Sequence, residues 1–260
     1  MAGFQAQWAI DEFAGIDLND NRLNTRAITI ATQLGTIGES SPQKKKKKRD
    51  SLPIEQKESY HWLQMTRRGM QIARENPGTE YVGVSDSESD IGELLSESVL
   101  RPNNYHVILR ACQNRALAKA TCTEEATSTE EIRLARNIQQ KLDQCAVRFT
   151  SSTQVRGRTA KTKVEHRSRQ QSRDDRMADL EVRATTITLP VNLAATSDVT
   201  GRLVPSVITL NVVEVREPNP PEGEVAIHWI LLTTLPIDTD EQVAEIVAAY
   251  KVRWKIEVFL

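Results

Sequence analysis

Tyr81-Val82-Gly83-Val84-Ser85-Asp86-Ser87-Glu88-Ser89-Asp90-Ile91-Gly92-Glu93-Leu94-Leu95 is the stretch that decides the fold. Its first four residues form a short apolar run with strand propensity. The run stops at a loop that alternates Ser with acids, and Ile91 to Leu95 read as a helix. Strand, loop and helix in succession are the building unit of an α/β protein. A buried strand that ends in an Asp also presents that carboxylate where ligands collect in such sheets. Asp86 is therefore a candidate functional residue. The plainer reading of the same letters is that Asp and Ser cap the next helix.

The far end of the chain carries a second candidate group. In Tyr250-Lys251-Val252-Arg253-Trp254-Lys255-Ile256-Glu257-Val258-Phe259-Leu260, positions i, i+3 and i+7 share one face of an α-helix. Tyr250, Arg253 and Glu257 have that spacing. A phenol, a cation and a carboxylate then point one way from an otherwise apolar helix. Such a face suits a metal-and-phosphate site, with an acid for the cation and two groups for a nucleic-acid strand. It also suits an ordinary polar face on a core helix.

Between and before these segments the chain alternates in character. Asn19 or Asp20 can cap a helix running to about Leu34, with Gly35 as its stop. On that helix Leu23, Ile30 and Leu34 share one stripe, and Arg22 and Arg26 share another. Apolar inside and guanidinium outside is how a helix can dock on a phosphate backbone, and it is equally the pattern of a surface helix with two exposed arginines. Residues 38–53 read as a linker holding Lys44 to Lys48 and Arg49. From Pro53 to about Ala73 the pattern predicts a helix with Pro in its first turn and Tyr60, Leu63 and Met70 inward. Residues 105–111 read as a strand and 113–145 as helical. The alternating runs 180–189 and 206–215 predict antiparallel strands. Asp238-Thr239-Asp240-Glu241-Gln242 opens the last helix, with Thr239 and Gln242 at capping-box spacing.

These segments together resemble the bacterial insertion-sequence transposases of the DDE class, in the group with the Y-x2-R-x3-E-x6-K signature that includes the Tn-five transposase. The second catalytic Asp of that family sits in a motif similar to S-D-x-E-x-D-I, matched here at Asp86. The catalytic Glu sits in Y-x2-R-W-x-I-E, matched at Glu257, and Tyr250 and Arg253 match the phosphate-gripping pair. His-Val-Ile-Leu-Arg at 106–110 resembles the strand after the second Asp, which puts Arg110 at a position near DNA. Ile227-His228-Trp229-Ile230-Leu231-Leu232-Thr233-Thr234 resembles the W-L-L-L-T strand, with Trp229 where the family stacks a Trp on a flipped-out base. Phe13-Ala14-Gly15-Ile16-Asp17-Leu18-Asn19-Asp20-Asn21-Arg22-Leu23 resembles the F-x3-D-L-x-D-x-R-L pattern of the DNA-binding domain. There Arg22 and Arg26 are the DNA-binding candidates.

The resemblance implies an α/β chain with an incomplete ribonuclease-H-like core, an antiparallel β insertion and a small N-terminal helical DNA-binding unit. The expected divisions are a DNA-binding domain at 1–38, a basic linker at 39–53, a partial core at 54–111, an insertion at 112–225 that is helical and then β, and a core strand with the catalytic-Glu helix at 226–260. It implies three carboxylates holding two Mg²⁺ (or Mn²⁺) ions, with Asp86 and Glu257 as two of the ligands. One ion would activate the nucleophile and the other would stabilise the leaving oxygen. The implied partners are double-stranded transposon ends and target DNA, with a homodimer in the full-length family. The implied location is the bacterial cytoplasm at the nucleoid.

Two departures bear on activity. No strand-like run with an Asp stands where the family places its first Asp. Pro42 passes almost directly into the Lys block, and the nearest acid, Asp50, follows six cations. The signature Lys would fall beyond Leu260. The expectation is an internally deleted and truncated transposase-derived protein that binds DNA, with impaired or absent cleavage, no opening hairpin in its core and a sheet short of its central strands. A non-catalytic DNA-binding fragment that interferes with full-length transposase, and a decayed product without a role, are the alternatives.

Composition agrees with a DNA partner and narrows the rest. The net charge of −1 hides segregation: between Arg148 and Arg183 ten basic residues face five acidic ones, beside the Lys44–Lys48 block. Cys112, Cys122 and Cys145 form no C-x2-C pair, which argues against a zinc site or a disulfide framework and fits a reducing compartment. With no apolar run of about 18 residues, no membrane span is expected.

Overall fold

The computed structural model describes residues 26–30, 53–118, 135–157, 172–190 and 207–256. They form a mixed α/β structure around one seven-stranded sheet. In chain order the elements are β1 (Arg26–Ile30), α1 (Tyr60–Glu75), β2 (Glu80–Ser85), α2 (Gly92–Ser98), β3 (Tyr105–Arg110), α3 (Ile138–Asp143), β4 (Phe149–Val155), β5 (Arg176–Pro190), β6 (Val207–Arg216), β7 (His228–Thr233) and α4 (Asp240–Ile256). The strand order is β1-β2-β3-β7-β6-β5-β4. β1, β2 and β3 are parallel, and every pairing from β3 to β4 is antiparallel.

The side-chain period of two sorts these strands into two cores. Leu109, Leu232 and Val212 point to one face, where Leu63 of α1, Leu94 and Leu95 of α2, and Ile138 and Leu142 of α3 cover them. Their neighbours Ile108, Leu231 and Val213 point to the other face and meet Val243, Ile246, Val247 and Tyr250 of α4. Val82 and Val84 of β2 join the α4 side. Buried on both faces, β3 and β7 read as the continuous apolar runs Val-Ile-Leu and Ile-Leu-Leu.

Local chemistry fixes the ends of the elements. Pro53 opens a 3-10 turn over Ile54–Gln56 instead of starting a helix, and α1 begins at Tyr60. Trp62, Leu63, Thr66, Met70 and Ala73 form its buried stripe. The Asn104 side-chain amide donates to the carbonyls of Ala73 (2.9 Å), Asn76 (3.1 Å) and Thr79 (2.8 Å), which ties the end of α1 to the start of β2. At α4 the capping box forms: the Gln242 N–H donates to Thr239 Oγ1 at 3.3 Å, and the Thr239 N–H donates to Gln242 Oε1 at 3.1 Å.

Two sequence expectations are corrected. A helix to Leu34 does not hold over Arg26–Ile30, which is a strand paired with β2 from Arg26↔Glu80 to Ile30↔Val84. Ile28, Thr29 and Ile30 are β-branched and stiff at χ1, and they satisfy a sheet edge that would otherwise be open. With β1 at the end of the order, β2 is flanked on both sides. The second correction concerns 113–145. Within it α3 spans only Ile138–Asp143, and Ala116 instead forms an antiparallel bridge with Asn137; 119–134 lie outside the described residues. The runs 180–189 and 206–215 do pair antiparallel, within the longer strands β5 and β6. β4 went unpredicted because Phe149-Thr-Ser-Ser-Thr-Gln-Val155 carries few apolar residues.

Candidate functional site

Parallel strands bring their C-terminal ends to one edge, and the loops that leave that edge build the site. The β2–β3 pairing ends with Ser85↔Leu109. The next residues on the two chains are Asp86 and Arg110, so both stand at the same end of the sheet. β7 runs back alongside β3, with Leu231 opposite Arg110, and carries Trp229 to the same end. α4 lies across the face below and adds Tyr250 and Arg253.

Asp86 stops β2 by turning its carboxylate into a cap. Its Oδ1 accepts from the Ser87 N–H at 2.7 Å and starts a 3-10 turn over Ser87–Ser89. The Ser89 hydroxyl closes that turn by donating to the Asp86 carbonyl at 2.6 Å. The other carboxylate oxygen, Oδ2, takes Arg253 Nη2 at 3.0 Å. The cap reading of Asp86 therefore holds through one oxygen, and the other oxygen is left facing Arg253. The Asp86 side chain is 31% exposed and that of Arg253 only 4%, so the pair is open on the acid's side.

Tyr250 stands behind this pair with no exposed surface. The Arg253 guanidinium lies 5.8 Å from the centre of its ring, and the Trp229 ring lies 5.6 Å away, tilted by 59°. Burial pushes the Tyr250 phenol up, and the Asp86 charge adds to it; Arg253 and Arg110 pull it down. Asp86, Arg110, Trp229, Tyr250 and Arg253 are thus gathered from four separate elements. Tyr250 lies within the core, so what this end of the molecule offers an anion from outside comes first from Arg110, which is half-buried.

Other expected site residues are not in this group. Glu257 and Arg22 lie outside the described residues. Arg26, expected beside Arg22 on a helix, stands on β1. β1 is Arg-Ala-Ile-Thr-Ile, and it supplies no carboxylate.

Sequence reading passed over Asp90, four positions beyond Asp86 in the same acidic loop. Its side chain is fully buried. Oδ2 accepts the N–H groups of Cys112 (2.9 Å) and Gln113 (3.0 Å), and Oδ1 accepts Arg115 Nε (2.9 Å) and Nη2 (2.7 Å). This clamp joins the loop after β2 to the loop after β3 and so fixes Arg110 relative to Asp86. The signal was present in S-D-x-E-x-D-I as a second acid, but only the burial tells a clamp from a ligand.

The donor set decides what the site can hold. Two hard divalent ions call for several oxygen ligands converging from different elements. Among the described residues no group of three or more His, Cys, Asp or Glu could hold a metal. Among the described residues Asp86 is the carboxylate that meets this cluster, and a guanidinium already occupies one of its oxygens. The described residues therefore do not make a two-ion site. Among them, too, no helix is long and apolar enough to cross a membrane.

Comparison with known proteins gives an independent finding at the other end of the chain. A family model for transposase DNA-binding matches residues 5–51. The match runs through the basic block at Lys44–Lys48 and Arg49. It supports a transposase-related protein with DNA as its partner.

Proposed function

We propose that this is a transposase-derived DNA-binding protein of the DDE kind, related to the insertion-sequence group with the Y-x2-R-x3-E signature, and that it grips transposon-end DNA while its strand-cleaving chemistry is impaired. The observation that carries this reading is the 3.0 Å contact of Arg253 with Asp86. The two residues come from motifs 167 positions apart (253 − 86). A resemblance that assigns both motifs to one active centre requires them to meet. The DNA-binding match at 5–51 supplies the partner independently.

In this reading the N-terminal region and its basic block hold the duplex through phosphates, and Arg110 and Arg253 take a phosphate at the sheet edge, with Trp229 as the aromatic surface for a base. Impairment follows from the ligand set. A phosphodiester repels nucleophiles by its charge, and family chemistry meets this with three carboxylates and two ions. Asp86 and Glu257 are two of those acids, and β1 brings no third.

Purified protein and a labelled terminal repeat test the proposal. The expected result is a gel shift with the repeat and none with a scrambled duplex, weakened about 10³-fold or more between 50 and 200 mM salt if several phosphates are contacted. Arg22→Ala with Arg26→Ala should weaken the shift; unchanged binding would remove those two arginines from the interface. The same duplex in Mg²⁺ should remain uncut, and end-specific nicking would refute the impairment.

A further inference from the structure

We propose that Arg253 is the resident cation of Asp86, and that while the protein is free of DNA this guanidinium keeps a divalent ion off the carboxylate. The inference uses the same cluster as the proposed function but does not need DNA binding to be right.

Each oxygen of Asp86 has a distinct partner. Oδ1 is committed to the Ser87 N–H that begins the turn. Oδ2 is the oxygen left for a cation, and Arg253 Nη2 fills it at 3.0 Å. The arginine is held there by more than charge. It is 3% exposed and faces the ring of Tyr250, which is itself fully buried. Such packing limits the rotamers by which the guanidinium could leave. An incoming dication would need Oδ2 as a ligand while a positive group stood within hydrogen-bonding distance of that same oxygen. Like charges on one ligand disfavour joint occupancy, so ion and guanidinium compete. Arg110 ends β3 one position beyond the Ser85↔Leu109 pair, level with Asp86, and adds a second positive charge at this edge. Three flanking groups thus turn an acid that looks like a metal ligand into one side of an internal ion pair.

The test is a Mn²⁺ titration of the full chain without DNA, with free Mn²⁺ followed by electron paramagnetic resonance. Arg253→Gln should bind Mn²⁺ at least tenfold more tightly than wild type. Asp86→Asn in that background should cancel the gain. Equal affinity of wild type and R253Q overturns the proposal, as does a gain that survives D86N. A buried arginine is a demanding site for substitution, so a measurement on the unaltered chain stands beside the titration. Ten millimolar Mn²⁺ should leave the wild-type melting temperature unchanged, because an ion that cannot bind the native state cannot stabilise it. A rise that D86N abolishes overturns the proposal. None of these outcomes depends on the gel shift, so failure of DNA binding and failure of the arginine block are read separately.

Discussion

Asp86 and Asp90 have the same side chain, lie in one loop and differ in almost everything else. The first is partly exposed and shares its oxygens between a turn and an arginine. The second is sealed, with two backbone N–H groups and the Nε and Nη2 of Arg115 on its carboxylate. Removing Arg115 would leave a buried charge without its counter-ion. Arg115→Met should therefore cost about 3 kcal/mol in urea unfolding, in line with other broken buried pairs. Asp90→Asn, which keeps the shape and drops the charge, should cost less than Arg115→Met. The motif letters could identify Asp86 as special, because a strand-end acid before a helix is a local pattern. They could not distinguish Asp90, whose partners lie 22 to 25 positions away. The same limit applies to Tyr250. Its spacing puts it on the same side of the helix as Arg253, while its full burial depends on strands contributed by the rest of the chain.

At the level of elements, β3 is locked to α1 and β2 by one tyrosine. Tyr105 is 2% exposed, and two glycines make room for it. A Cβ on Gly83 would stand 2.5 Å from the Tyr105 hydroxyl oxygen, and one on Gly69 would stand 2.6 Å from its ring. Gly83→Ala should destabilise the fold by about 1–3 kcal/mol. The next-nearest atom to that Cβ is the ring carbon at 3.3 Å, so Tyr105→Phe should relieve most of the strain. Urea midpoints of the two single variants and the double form a cycle that reads this directly: the double should be more stable than the sum of its parts predicts. Elements with a strong period were legible in the sequence. The alternation of β5 and β6, the apolar runs of β3 and β7 and the capping box of α4 each rest on neighbouring residues. β1 was not legible, since Arg-Ala-Ile-Thr-Ile suits a helix face as well as a strand and only the open edge of β2 decides between them.

For the molecule as a whole, pH reports on buried acids. The hydrogen bond from Arg176 holds the Glu217 carboxyl below its ordinary value of 4.5 against a smaller burial penalty. For Glu214, burial pushes upward as the largest single influence, yet hydrogen bonds from His228 and Gln139 and the nearby charges leave it depressed. A carboxylate whose folded pKa lies below its unfolded one adds stability that is present above the unfolded value and lost as pH falls through the folded one. The melting temperature should therefore hold from pH 7 to about pH 5 and fall below about 4.5, where both residues begin to take up protons in the unfolded chain. Glu217→Gln should lower it at pH 7 and make the acid fall shallower; an unchanged slope would count against the ion pair as its source.

The strand order also sets a timetable for biosynthesis. β2 and β3 leave the ribosome early, yet β7 pairs with β3 across more than 120 positions and α4 comes later still. At about 5–20 residues per second, the interval from residue 86 to residue 253 lasts roughly 8–30 s. Throughout it Val82, Val84 and Ile108 lack their cover from α4. The nascent chain thus carries a sticky parallel ribbon that a holding chaperone would have to shield until its last described helix emerges.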